Sequence, residues 1–148
     1  MRQPREPRGR NEEDDEALSR YSDALAAVAA NTAPFAIPMQ GPWLHDYGAG
    51  VAAPEDEQWK QLNTATRDAA EQVFGTERAL PAPLRRPHVS LGYGTAERDS
   101  APVELALSII KTPASLTVRS LQLLAVDVDP EAGVFVWDVI STYAVKSS

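Results

Sequence analysis

The sequence predicts an α+β domain, with helices packed on mostly antiparallel sheets. Helical and extended periodicities alternate along the chain instead of falling into separate blocks. The last third holds two long β-type runs around Asp129-Pro130-Glu131-Ala132-Gly133, the pattern of a closing hairpin. The resulting order is helix, two strands, helix, strand, helix, two strands, which suits helices laid over an antiparallel sheet. At 148 residues, 43% hydrophobic and 24% charged, the chain has the size and composition of one globular domain.

Residues 1–15 combine prolines, arginines and acids without apolar periodicity, and are expected to form a disordered charged tail ahead of a domain at 16–146. The acids that close the tail also suit a helix N-terminus, where negative charge meets the positive end of the dipole. Leu18, Tyr21, Leu25 and Val28 recur at helical spacing and predict an amphipathic helix to Ala30, ending before Pro34. Residues 35–39 and 48–53 then read as two short strands. Gly41 and Pro42 break the run between them, leaving Trp43, Leu44, His45 and Tyr47 in a connection.

Pro54-Glu55-Asp56-Glu57 reads as a helix start, with Trp59, Leu62, Thr66, Ala69 or Ala70, and Val73 on one face and Gly75 as the stop. Pro81-Ala82-Pro83 is a rigid spacer into a strand at 88–93. A short helix over 102–110 is expected to turn Val103, Ala106, Leu107 and Ile110 inward. Residues 116–128 read as one long strand with Leu121, Leu123 and Ala125 towards the core, and 134–145 as its hairpin partner. Trp59 and Trp137 are both expected in the core.

Charge and cysteine content narrow the function. A net charge of −7 argues against a binder of long duplex nucleic acid, which needs a basic surface to release counterions. With no cysteine, disulfides, thiolate metal sites and cysteine nucleophiles are excluded, and a reducing cytoplasm is permitted. No secretory signal or membrane-spanning segment is visible. His45 with Asp46 lacks further histidines at metal-ligand spacing, and a loop histidine is the expected reading.

One stretch carries chemistry: Arg85-Arg86-Pro87-His88-Val89-Ser90-Leu91-Gly92-Tyr93-Gly94. On a strand, period-two geometry puts His88, Ser90 and Gly92 on one face and Val89, Leu91 and Tyr93 on the other, towards a core. An imidazole beside a hydroxyl suits a site, though a buried strand histidine with a hydrogen-bond partner fits the same pattern. No nucleophile elbow surrounds Ser90, which argues against a hydrolase triad. Gly92 and Gly94 suit close approach of backbone or substrate. Arg85 and Arg86 are a basic exception in an acidic chain and suit steering of a phosphate.

Pro87-His88-Val89-Ser90-Leu91-Gly92-Tyr93 resembles the second His-x-Ser/Thr motif of the 2H phosphoesterase superfamily, in particular its 2′-5′ RNA ligase-like members. Ala33-Pro34-Phe35-Ala36-Ile37, the helix at 62–75 and the Trp137 hairpin are similar to that family's other elements, so that about residues 17–145 lie on its pattern. The resemblance implies a bilobal fold with two such motifs facing across a cleft. It implies His88 as general acid/base, Ser90 as phosphate anchor, and Arg85, Arg86 and Tyr93 at the substrate. The implied partner is an RNA end or a small cyclic nucleotide, with no metal or other cofactor required. Two imidazoles near pH 7 would supply the base for an attacking water and the acid for the leaving ribose oxygen.

The chain departs from the pattern in carrying one such motif, not two. His45 is followed by Asp46 and Tyr47 and has no serine or threonine hydroxyl at the required spacing. Three explanations stay open: an N-terminally shortened two-histidine enzyme, a degenerate member that binds without turnover, or a second imidazole from His45 or another subunit. Oligomeric state is left open.

Overall fold

The computed structural model describes residues 12–46, 48–79, 86–94, 97–111, 114–129 and 134–146. The elements are α1 (Glu12–Ala30), β1 (Phe35–His45), β2 (Gly48–Ala52), α2 (Glu57–Phe74), β3 (His88–Tyr93), α3 (Ala101–Ser108), β4 (Ala114–Val118), β5 (Ser120–Asp129) and β6 (Val134–Ala144). Helix α1 begins at Glu12, inside the expected tail, because Glu12, Glu13, Asp14 and Asp15 form its first turn at the positive end of the dipole. The remainder of that tail lies outside the described residues.

Helix α2 keeps the boundaries its sequence specifies. Asp56 is extended and its carboxylate accepts from the Trp59 amide at 2.9 Å, while Gly75 at φ 78° ends the helix with its N–H on the Glu71 carbonyl. Its apolar stripe buries Leu62 and Ala69.

The strands form a curled antiparallel arrangement, with β3-β2-β1-β4 in one sheet and β5-β6 in the other. Two expectations change here. β1 is a single strand that continues through Gly41 and Pro42, because a bulge between Gln40 and Trp43 absorbs the irregular residues and pairing with β2 resumes beyond it. Trp43, Leu44 and His45 are therefore strand residues. The run expected as one long strand divides at Arg119, so that β4 pairs with β1 and β5 with β6.

Phe35, Ile37, Ala53, Leu62 and Val118 make the buried core, joined by the partly buried Val28, Met39, Trp59, Leu116 and Leu121. This fixes the sidedness of the larger sheet. Phe35, Ile37 and Met39 of β1, together with Leu116 and Val118 of β4, turn towards α2. Ala36, Pro38 and Gln40 then turn away from it.

Two apolar groups expected inside are not. None of α3 is buried, and Val103, Leu105, Ile109 and Ile110 are exposed. Trp137 is 60% exposed, on a face of the β5–β6 hairpin that also shows Leu124, Val126, Phe135 and Val139. The opposite face meets α1 near Tyr143, whose hydroxyl lies 2.6 Å from that of Ser22. A hairpin two strands wide has one face against a helix and one against solvent. Apolar content alone does not say which face is covered. Among the described residues, no helix is long and apolar enough to cross a membrane.

Candidate functional site

Strand β3 is an edge strand whose start is held firmly. Pro87 is fully buried, and its carbonyl accepts from the Ala53 amide at 2.9 Å where β2 ends. From there His88 pairs with Ala52, Val89 with Val51 and Ser90 with Gly50. Ala52 lies opposite Gln40 of β1, on the face turned away from α2, so His88 and Ser90 share that face. All six residues of β3 are exposed.

The expected alternation fails after Ser90. Gly50 pairs with Ser90 but Ala49 pairs with Gly92, leaving Leu91 as the extra residue of a bulge. One inserted residue reverses the side-chain parity beyond it. Gly92 moves to the face of Ala49, and Tyr93, opposite Gly48, moves onto the face of His88 and Ser90. Tyr93 is not a core residue: it is 63% exposed and its hydroxyl donates to Ser90 Oγ at 3.1 Å. A glycine inside a strand run is a recognised mark of a bulge, and Gly92 is the signal of it in the sequence.

The close backbone approach expected at Gly92 falls instead on its neighbour. A Cβ on Gly92 would meet nothing within 4 Å, whereas one on Gly48 would run into the Gly92 carbonyl oxygen.

The hydrogen bonds assign chemistry to the side chains. His88 Nδ1 lies 3.0 Å from the Arg86 carbonyl oxygen. A carbonyl only accepts, so Nδ1 carries a proton, and in the neutral ring Nε2 is then the nitrogen that holds the lone pair. That is the tautomer of a base acting through Nε2. Ser90 Oγ accepts from Tyr93 and retains its own proton to donate to an oxyanion. Arg86 is exposed at the head of the strand, and Arg85 lies outside the described residues.

The other histidine stands on the same face. His45 pairs with Gly48, two residues along β2 from Gly50, and its Nε2 lies 3.9 Å from the point a Cβ on Gly50 would occupy. Ser90 Cα lies at the same distance from that point. His88, opposite Ala52, is four residues further along β2 from Gly48, which is about 13 Å of strand. Trp43 pairs directly with Gly50, so the row Trp43–Gly50–Ser90 crosses three strands on this face. A depression of about 550 Å³ reaches the His45–Tyr93 end of the sheet, and its charged lining is Arg98 among the acids Asp46, Glu97, Asp99 and Glu104. Among the described residues, no group of three or more His, Cys, Asp or Glu could hold a metal ion.

This architecture is α+β, with three helices and a curled antiparallel sheet, and is consistent with a 2H phosphoesterase-like fold. Among solved structures, the chain is similar to the protein TT0787 of Thermus thermophilus. That likeness has a TM-score of 0.63 at 18% sequence identity, and covers 93% of this chain and 73% of that one. At this identity the likeness is one of fold. No protein-family model and no curated protein matches the chain.

Proposed function

We propose that this protein acts on the phosphate of an RNA end or a small cyclic nucleotide, in the manner of 2′-5′ RNA ligase-like and 2′,3′-cyclic phosphodiesterase proteins. The observation that carries the reading is the pairing of His88, its tautomer set by the Arg86 carbonyl, with Ser90 on one exposed sheet face. His88 Nε2 takes the proton of a water attacking the cyclic phosphate, or returns one to the leaving ribose oxygen. Ser90 donates to a non-bridging oxygen, with Tyr93 fixing its hydroxyl. Arg86, and Arg85 before it, draw the anion to a chain that is otherwise acidic. No step calls for a metal or cofactor, and no long duplex or membrane is engaged. The cysteine-free chain suits the cytoplasm.

A second reading has support of its own. The backbone positions of His45 and His88 lie four residues apart along β2, and His45 has no serine or threonine two residues on, so one complete His-x-Ser unit faces a phosphate. On that basis the chain is a non-catalytic module that binds a nucleotide or RNA end. Titration with a 2′,3′-cyclic nucleotide separates the readings. An enzyme converts it to a monophosphate, and a binding module shifts the His88 ring resonances without product. Neither response at millimolar ligand, with the fold intact, would remove both.

A further inference from the structure

Local sequence signals put Trp43 in a connection, and the fold puts it on a strand. The register sets it opposite Gly50, with Ser90 on the far side of the same glycine. Directly opposed residues of antiparallel strands project to the same face. Trp43 and Ser90 thus flank a central strand that carries no side chain at the row between them. Two strand spacings, roughly 10 Å, separate their backbones.

The ends of this slot are also defined. His45 leans along β1 so that its Nε2 comes within 3.9 Å of the Gly50 position. On the other side Ala52, opposite His88, keeps the floor low. The indole is laid against the strand, its Cε3 only 2.5 Å from where a Cβ on Gly41 would stand. Gly41 has φ 103°, a conformation that favours glycine, so the residue that admits the ring is fixed by the backbone as well as by space. The ring remains 42% exposed. A tryptophan held against its own strand, open to solvent and opposite a glycine, is a stacking surface, and among the described residues no other aromatic ring is stacked on it.

We propose that Trp43 is the platform of a nucleobase subsite, on which the heterocycle of a nucleoside phosphate stacks while its phosphate sits at His88 and Ser90. One ribose spans the gap over Gly50. This rests on the reading of His88 and Ser90 as the phosphate site, and adds what that reading lacks: recognition of the planar part of the ligand. Stacking accepts any base, because every base has a π-face, so the subsite selects nucleotides over simple phosphate esters without selecting sequence.

Two probes test the assignment by calorimetry on the full chain: adenosine 3′-monophosphate, and glycerol 2-phosphate, which has no base. Trp43→Ala should weaken the nucleotide by about 5- to 150-fold, the span of one base–aromatic stack, and leave the baseless ester unchanged. Trp43→Phe should restore most of the loss, and His88→Ala should weaken both probes. Equal weakening of both probes by Trp43→Ala would reduce the residue to a structural role, and unchanged nucleotide affinity would remove the stack. Both results leave the phosphate site standing. If the wild-type chain binds neither probe, the phosphate site fails and the subsite with it.

Discussion

Tyr93 and Ser90 are three residues apart on one strand, yet the Tyr93 hydroxyl donates to Ser90 Oγ at 3.1 Å. Regular alternation would put residues at that separation on opposite faces. The bulge at Leu91 brings them together, and so fixes the hydroxyl that the proposed function assigns to a phosphate oxygen.

Removing that hydrogen bond should therefore affect ligand more than fold. Tyr93→Phe is expected to leave thermal stability nearly unchanged and to weaken phosphate-ester binding by a few-fold, the worth of about 1 kcal/mol. Ser90→Ala should cost more, since it deletes the donor itself. Calorimetric titration with glycerol 2-phosphate reads both, and a Tyr93→Phe protein that binds as tightly as wild type would count against the orienting role.

Two glycines of the β2–β3 pair predict opposite outcomes. Gly48→Ala drives a Cβ into the Gly92 carbonyl oxygen, a backbone atom that cannot swing aside, and should destabilise by about 1–3 kcal/mol as an overpacked site does. Gly92→Ala points into open space and should stay within about 1 kcal/mol of wild type. Denaturant unfolding of the pair decides it, and equal losses would mean that the strands do not approach as described.

The core and the hairpin give a second contrast. Ile37 is 1% exposed at the centre of the buried cluster, and Ile37→Ala should cost about 2–5 kcal/mol. Trp137, despite its size, should cost under about 1 kcal/mol on change to alanine, because its ring is already in solvent. A large loss at Trp137 would show that the outer face of the hairpin is covered in solution.

Tyr21 gives the pH dependence. Burial, and then the charge of a neighbouring Tyr143 phenolate, raise its pKa above the ordinary 10.0. The fold thus prefers the protonated phenol. Its contribution is fully present below the unfolded value and is lost as pH climbs through the folded one. Melting temperature should fall more steeply above about pH 10 for wild type than for Tyr21→Phe. Superimposable pH curves would contradict the linkage.

What can be read from the sequence follows from how local each signal is. Asp56 and Gly75 mark the ends of α2 because caps act on their own turn. Leu121, Leu123 and Ala125 share a partly buried face because the bulge of that hairpin falls on β6, at Ile140, and leaves β5 regular. His88 and Ser90 lie side by side because β3 is regular up to Ser90. The failures are non-local. Gly41-Pro42 reads as a break because local chemistry does not show that β2 waits to resume pairing beyond it. Val103, Ile110 and Trp137 read as internal because an apolar side chain does not name the surface that covers it. Trp43 escapes notice as a site residue because its relation to Ser90 exists only through the register of two other pairings.

The central claim is that His88, presenting Nε2 to solvent, moves a proton at a cyclic phosphate ester. The most direct test is the hydrolysis rate of a 2′,3′-cyclic nucleotide, compared between wild type and His88→Ala with circular dichroism confirming the fold of both. Loss of a positioned acid/base should slow the reaction by about 100-fold or more. Equal rates in the two proteins, or no hydrolysis by a folded wild-type chain, would contradict it.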